Sequence, residues 1–280
     1  MPTFLLLVLS VAATLAAAER AVDPTFIRTS IEQTKPVADD LCPANCEYRP
    51  LFKRGGIVRA VSRYGALKLQ AGQTTAVVEY PREEQVYYVM EGKGQAIYGS
   101  ERHPIQKGDF MYLPATVPHG VSNNSGAALQ VVVMGWVLPA GVEPRKPDTF
   151  AKANTSEVKK QVVGGHPPST LYQLMIGDWK STRDKLATGH VLTSLFIMEF
   201  SEGGTNFPHH HDREEEIYLL LDGEGDMVAG SGMNGVEGRF PSKPGDAYFY
   251  RLNTTVGFYN TSKQVAHILA VRSLYPFARN

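Results

Sequence analysis

Residues 203–225, which read GGTNFPHHHDREEEIYLLLDGEG, decide how the chain folds. His209 and His211 are two positions apart, so in a strand their side chains point to the same face while that of His210 points away. Glu216 follows a short turn, and we expect it on the adjoining strand, where its carboxylate can meet both imidazoles. This grouping predicts a site for one divalent transition metal with open coordination positions. The alternative is a solvated turn in which the histidines share no role.

An internal repeat surrounds this stretch. Residues 83–94 (EEQVYYVMEGKG) align without a gap with residues 214–225 (EEEIYLLLDGEG), at an offset of 131 residues. Beyond six extra residues in the second copy the offset becomes 137. A repeat of this length predicts a duplicated domain. The matched pairs are Gly72 and Gly203, Gly92 and Gly223, Gly94 and Gly225, Gly108 and Gly245, and Asn123 and Asn260.

Short β-type runs make up most of both copies. QVYYVM at 85–90 and AYFYRL at 247–252 are typical, and Gly, Pro and Asn separate such runs from one another. Short strands at close, regular spacing predict an all-β sandwich or barrel. Residues 140–169 are instead rich in Pro, Lys and polar residues, which is typical of a linker.

The spacing G-x5-H-x-H-x4-E-x6-G resembles the first motif of the cupin superfamily. The second cupin motif is echoed by Gly108, Pro114, His119 and Asn123. The resemblance covers roughly residues 57–139 and 189–276. It implies an all-β, RmlC-like fold of two tandem jelly-roll barrels, a bicupin, that follow an N-terminal arm.

These observations together predict five segments. An export signal is followed by the arm, a first barrel with a degenerate metal site, a linker with a lead-in strand, and a second barrel that binds metal. Their bounds are 1–18, 19–56, 57–139, 140–188 and 189–280.

The export signal is predicted from the apolar stretch Phe4 to Leu15, which is too short to span a membrane and is followed by three alanines. We therefore expect a secreted or periplasmic protein without membrane attachment after cleavage; an uncleaved anchor or a buried apolar segment is the alternative. Outside the cytoplasm, Cys42 and Cys46 are expected to form a disulfide.

The resemblance implies a fourth metal ligand, a histidine of the second motif, but the offset of 137 places Val256 there. Tyr248 on a motif-two strand and His267 on a late strand are candidates for this role. Ordinary packing is the alternative for both.

The first barrel has Val78, Tyr80 and Gln85 where the second has its metal ligands, and keeps only His119. We therefore predict no metal there. Tyr80, Gln85 and His119 either line a pocket for a small organic ligand or belong to a barrel that supports its partner.

The balance of charged residues limits the classes of molecule that the protein is expected to bind. Lys and Arg number 28, Asp and Glu also 28, and a net charge of zero argues against nucleic acid. A homo-oligomer is compatible with the sequence. Asn-x-Ser/Thr sequences matter only in a eukaryotic source and occur at Asn123, Asn154, Asn253 and Asn260.

The donor set suits iron, manganese, zinc, nickel or copper. Bicupins include ring-opening dioxygenases, oxalate decarboxylases and oxidases, and a ureidoglycine aminohydrolase, so the resemblance implies a metal-dependent enzyme, dioxygenase-like or a hydrolase or lyase, acting on a small organic molecule. The alternative is a non-catalytic ligand-binding, structural or storage cupin. We expect Glu84 and Glu215 in solvated turns, and an aromatic lining from Tyr218, Tyr248, Phe249 and Tyr250.

Overall fold

The computed structural model describes residues 25–230 and 237–276; the predicted export signal lies outside them. Their regular structure is nearly all β, as predicted, with one short 3-10 turn at Thr155–Glu157. Within these two ranges, no helix has the length and apolar character needed to cross a bilayer.

The strands up to the end of the first repeat are β1 (Phe26–Ser30), β2 (Glu47–Gly55), β3 (Val58–Leu69), β4 (Glu83–Glu91), β5 (Lys93–Tyr98), β6 (Glu101–Gln106), β7 (Asp109–Leu113), β8 (His119–Ser122) and β9 (Leu129–Val137). The later strands are β10 (Lys152–Asn154), β11 (Lys160–Gln161), β12 (Thr170–Asp178), β13 (Leu186–Gly189), β14 (Leu192–Phe200), β15 (Glu214–Asp222), β16 (Gly225–Gly230), β17 (Glu237–Ser242), β18 (Asp246–Tyr250), β19 (Thr255–Tyr259) and β20 (Ala266–Leu274).

Each barrel consists of a large and a small sheet. In the first barrel the large sheet has the order β10-β7-β4-β9-β3-β2 and the small one β6-β5-β8. In the second, the large sheet has the order β1-β18-β15-β20-β14-β12-β11, with β13 beside β12, and the small one is β17-β16-β19. The same strand order in both halves is the structural form of the sequence repeat.

Strands from outside the two repeats complete an edge of each large sheet. β1, from the predicted N-terminal arm, pairs antiparallel with β18, so Phe26 lies opposite Tyr250 in the second barrel. β10, from the predicted linker, pairs with β7 of the first barrel. The arm and the linker therefore each cover the edge of a large sheet that would otherwise expose unpaired backbone groups.

The large sheets pack face to face, which explains the unbroken apolar run of β4. Val86 and Tyr88 point into the core between the barrels, whereas Tyr87 and Val89 point into the first barrel. Because both faces of the strand are covered, neither side of the alternation is polar.

Backbone geometry accounts for the matched glycines. Gly92 and Gly223 have φ angles of +84° and +76°, in the left-handed region that favours glycine. A Cβ atom on Gly92 would also lie 2.3 Å from the carbonyl oxygen of Ala128. The backbone turns from one strand into the next at these two glycines, and the turn leaves no room for a side chain.

The matched asparagines are structural. Asn123 and Asn260 are buried, and each side-chain amide donates to backbone carbonyls across a loop. The acceptors include Leu69 and Ala127 for Asn123, and Phe200 and Gln264 for Asn260. Two of the four Asn-x-Ser/Thr sequences therefore have buried, hydrogen-bonded asparagines, and the amide of a third, Asn154, donates to Lys107 and Asp109.

Two buried glutamates tie the barrels together. Oε1 of Glu84 accepts from the backbone N–H groups of Val191 and Leu192 at 2.7 and 3.0 Å, and Oε2 accepts from that of His190 at 2.8 Å. Its counterpart Glu215 accepts from the backbone of the first barrel in the same way.

The donors to Glu215 are the N–H groups of Arg59 and Ala60, both at 2.8 Å. Burial raises the pKa of Glu215 to about 7, and these donors oppose the rise. The expectation that Glu84 and Glu215 lie in solvated turns is wrong, because they are 0% and 1% exposed. Their carboxyl oxygens accept hydrogen bonds from backbone N–H groups of the opposite barrel. The sequence of a single repeat does not show these contacts.

We expect Glu84→Gln to lower the free energy of unfolding by about 2–4 kcal/mol, because the amide replaces one acceptor oxygen with a donor facing buried N–H groups. Urea denaturation measures the change. Glu91→Gln, at the exposed end of the same strand, is the control and should cost under about 0.5 kcal/mol. Equal effects of the two substitutions would contradict the assigned role of Glu84.

Candidate metal centre

Strands β15 and β19 and the turn before β15 position the predicted ligands of the second barrel. His209 forms an antiparallel bridge with Val256 on β19, with backbone N···O distances of 3.0 and 2.8 Å. His211 follows in the turn before β15, and Glu216 lies on β15 and points into the barrel. One ligand atom from each of the three side chains lies within 4.8 Å of the others. The structure thus brings the three predicted ligands together.

His211 and Glu216 have donor atoms suited to a cation. Nε2 of His211 lies 3.1 Å from Oε2 of Glu216. Both atoms are buried and, beyond this mutual contact, neither has another hydrogen-bond partner within the described chain. Buried polar atoms are rarely left in this state. A divalent cation would satisfy both, so the residues fit the predicted metal.

His209 is held in the orientation that a metal ligand needs. Its Nδ1–H donates to the carbonyl oxygen of Phe207 at 2.8 Å, which leaves Nε2 as the free nitrogen. Metal-binding histidines commonly donate their second nitrogen to a carbonyl in this way. Phe207 has a φ of +53°, which is uncommon for a bulky residue.

The protonation states of the three side chains depend on one another. Burial lowers the pKa of His209, and the neighbouring His211 adds to this. Burial also acts to lower the pKa of His211, but the hydrogen bond and charge of Glu216 outweigh it and raise this pKa above its usual value. Burial acts to raise the pKa of Glu216, but the hydrogen bond and charge of His211 outweigh burial, so this pKa lies below its usual value.

The ligands line one wall of a cavity of about 180 Å³ that opens to solvent. Of the four aromatic residues expected to line it, Tyr218 does so, whereas Phe249 points to the other face of β18 and packs 6.0 Å from Phe52 of the first barrel. Other side chains around the cavity are His166, Tyr172, Arg183, Phe196, Met198 and Arg272.

The two candidates for a fourth ligand have other partners. The hydroxyl of Tyr248 lies 2.9 Å from Oγ of Ser242, and Tyr248 is not among the residues that line the cavity. His267 contacts Asp222 at 2.7 Å and Glu199 at 3.0 Å on a partly exposed surface. Val256 itself is fully buried beside His209.

The first barrel has the same backbone bridge as the second, but its histidine and valine occupy opposite positions. Val78 bridges His119 there, as His209 bridges Val256 in the second barrel. Each bridge therefore joins one histidine to one valine, in opposite order. This pairing shows that the offsets of 131 and 137 align structurally equivalent positions.

Side chains fill the interior of the first barrel. Gln85 contacts His119 at 3.1 Å, accepts from the Tyr87 hydroxyl at 3.0 Å and donates to Glu83 at 2.6 Å. The hydroxyl of Tyr80 donates to Asp40 at 2.7 Å. Arg63 joins the two sets of contacts, because it pairs with Asp40 at 2.9 Å and with Glu83 at 3.1 Å. Tyr80, Gln85 and His119 therefore belong to one connected polar group; whether they bind a ligand stays a prediction.

The segment before β2 covers this barrel. Cys42 and Cys46 form a disulfide, as predicted. Leu41, beside it, is fully buried and joins the core of the first barrel. The disulfide therefore lies beside a residue that is packed into the core of the first barrel.

The fold and the three-residue cluster together define a duplicated all-β protein with one candidate metal centre. The family model of the cupin domain matches residues 66–135 and 196–272, which is more than half of the chain. The chain therefore belongs to the cupin family.

Comparison with known proteins supports the tandem arrangement. The putative glyoxylate-induced protein of Pseudomonas aeruginosa has a TM-score of 0.73 at 14% identity and covers 94% of both chains. Protein YlbA of E. coli has a TM-score of 0.67 at 16% identity, covering 92% of this chain and 95% of its own. A variant of Bacillus subtilis oxalate decarboxylase has a TM-score of 0.67 at 13% identity, covering 92% and 79%.

At these identities the structural likeness shows the fold alone. An uncharacterized protein of Methanocaldococcus jannaschii is 30% identical over 65 residues, or 23% of this chain. The chain spans about half (52%) of the length of that curated relative.

We expect metal affinity to rise with pH, because a metal must displace the proton of His211, whose pKa the contact with Glu216 raises. Zn²⁺ affinity should rise by up to about tenfold per pH unit until the pH exceeds that pKa. Calorimetry in buffers of different ionisation enthalpy measures the affinity and the proton released. A pH-independent affinity between pH 6 and 8 would contradict the His211–Glu216 pairing.

Proposed function

We propose that the protein is a metal-dependent enzyme that acts on a small organic molecule in its second barrel. The observation that carries this proposal is the convergence of His209, His211 and Glu216 on a cavity open to solvent. A purely structural metal site is closed by protein ligands, whereas a catalytic one keeps positions free for water or substrate.

The three side chains would hold the ion, and iron, manganese, zinc, nickel or copper suits this donor set. When bound, such an ion polarises a substrate oxygen or activates water or O₂. Glu216 would supply negative charge to the site, and the carbonyl of Phe207 would keep His209 in the orientation that presents Nε2.

Cationic and aromatic side chains would select the substrate. Arg272 lies against the ring of Phe196 at 5.5 Å, and its Nε atom is buried with no hydrogen-bond partner within the described residues. Arg183 also lines the cavity. Both guanidinium groups already pair with carboxylates, Arg272 with Glu214 at 3.4 Å and Arg183 with Asp184 at 3.5 Å, so an anionic substrate would share them with these side chains. The cavity is smaller than the pockets of roughly 300–1,000 Å³ that hold drug-sized ligands, which favours a molecule of few atoms.

A fold neighbour lends support to metal-dependent chemistry. Bacillus subtilis oxalate decarboxylase has Mn(II) centres. The present chain is only 12% identical to it, so the reaction itself does not carry over. Dioxygenation, hydrolysis and lyase chemistry remain the reaction classes to test.

We further propose that the first barrel supports its partner and binds no metal. Its interior is occupied by the group around Gln85, which includes His119. One histidine is a poor metal site by itself. The disulfide and the sequence of residues 1–18 support a secreted or periplasmic location as part of the proposal.

The test is the metal content of protein purified without an affinity tag from its native compartment. Plasma mass spectrometry should find about one equivalent per chain. His211→Ala should abolish metal retention and activity, because it removes one of three ligands. The matched variant His119→Ala, at the surviving histidine of the first barrel, should retain the metal.

Stoichiometric metal in His211→Ala, or its loss in His119→Ala, would contradict the assignment. Wild-type protein without metal, even after reconstitution, would instead indicate a ligand-binding or structural cupin.

A further inference from the structure

The candidate centre has an unfilled ligand position. Val256 occupies the place that the second motif assigns to a histidine, and its apolar side chain cannot bind an ion. Tyr248 and His267, the candidates from sequence, have other partners. A fourth protein ligand would therefore have to come from an element outside the two motifs.

His166 is a candidate from such an element, although it is outside the group of three side chains whose ligand atoms all lie within 4.8 Å of one another. It belongs to the segment between β11 and β12, in the predicted linker, and it lines the same cavity as His209. The ring centres of His166 and His209 are 5.2 Å apart, and those of His209 and His211 are 5.0 Å apart. At a metal–nitrogen distance of about 2.1 Å, two imidazoles on one ion have ring centres roughly 4.6–5.3 Å apart. Both pairs fall within this interval.

The hydrogen bond of His166 leaves the correct nitrogen free. Its Nδ1–H donates to the carbonyl oxygen of Asn206 at 2.8 Å. His209 donates in the same way to the next carbonyl along the chain, that of Phe207. The two imidazoles are therefore held by adjacent peptide groups, each with Nε2 left to bind a metal.

The residue that holds His166 is itself rigid. Asn206 is 1% exposed, its side-chain oxygen accepts from the N–H of Phe258 at 2.9 Å, and its amide donates to the Tyr218 hydroxyl at 3.0 Å. The carbonyl group that holds Nδ1 of His166 is therefore fixed within the barrel.

The position in the first barrel that corresponds to His166 is Cys42, as the strand register shows. Tyr48 pairs with Leu67 and Tyr172 pairs with Met198, and these partners are related by the repeat offset of 131. Tyr48 and Tyr172 are therefore equivalent, and the residues six positions earlier are Cys42 and His166.

The barrel with the metal ligands thus has a histidine at this position, and the barrel without them has a disulfide cysteine. Packing of His166 on Tyr172, at 5.2 Å between ring centres, is also present. Packing alone does not account for an Nδ1 anchor that matches that of His209.

We propose that His166 is the fourth protein ligand of the metal centre and replaces the histidine that the second motif lacks. This inference rests on the proposed metal site. It makes the donor set three imidazoles and one carboxylate, and a six-coordinate ion would keep two positions free for water or substrate.

The experiment loads the full chain with one equivalent of Cu²⁺ and counts coordinated imidazole nitrogens by pulsed electron paramagnetic resonance. Wild-type protein should show three, and His166→Ala should show two. The Cu²⁺ dissociation constant should rise at least about tenfold in His166→Ala. His210→Ala is the matched control, because His210 is exposed and lies between two ligands without joining them; it should keep three nitrogens. If His166→Ala does not fold, His166→Gln removes the imidazole with less loss of packing.

Two nitrogens in both wild type and His166→Ala, with equal affinity, would overturn the role of His166 and leave the proposed centre standing. Wild-type protein that binds no copper through His209 and His211 would overturn the centre itself, and the inference with it.

Discussion

The carboxylates of Glu84 and Glu215 are the constraint on which the other features depend. Each is buried where the large sheets meet, and the oxygens of each accept from backbone N–H groups of the opposite barrel. A buried carboxylate without such donors would cost several kcal/mol. The two barrels therefore stabilise each other in one relative orientation, which the apolar core between them alone would specify less strictly.

This constraint also places the candidate metal ligand. Glu215 and Glu216 are consecutive residues of β15, so their side chains point to opposite faces of the sheet. Because Glu215 is held by the first barrel, Glu216 points into the cavity of the second. In the first barrel Glu84 has the same role, and the next residue, Gln85, joins an interior that is filled. The two copies thus share one framework and differ in what their interiors hold.

Much of this could be predicted from sequence. The all-β fold and the family are confirmed. The repeat offsets also hold, because Val78 pairs with His119 as His209 pairs with Val256. The disulfide is confirmed as well. These features follow from local spacing, which a single sequence displays directly.

The remaining features depend on contacts between distant parts of the chain. β1 pairs with a strand more than 200 residues later, so its sequence alone reads as an irregular arm. Glu215 and Glu216 look alike in the sequence, and only the opposite barrel distinguishes them. His166 lies in a polar linker, and the equivalence of Tyr48 and Tyr172 that would have singled it out becomes visible only with the strand register.

The central claim is that one metal ion binds, in the second barrel only. Anomalous diffraction at the absorption edge of the bound metal, from crystals of reconstituted protein, tests it most directly. The account predicts one peak per chain, within bonding distance of His209, His211 and Glu216. A peak beside His119, or none near the three ligands, would contradict it.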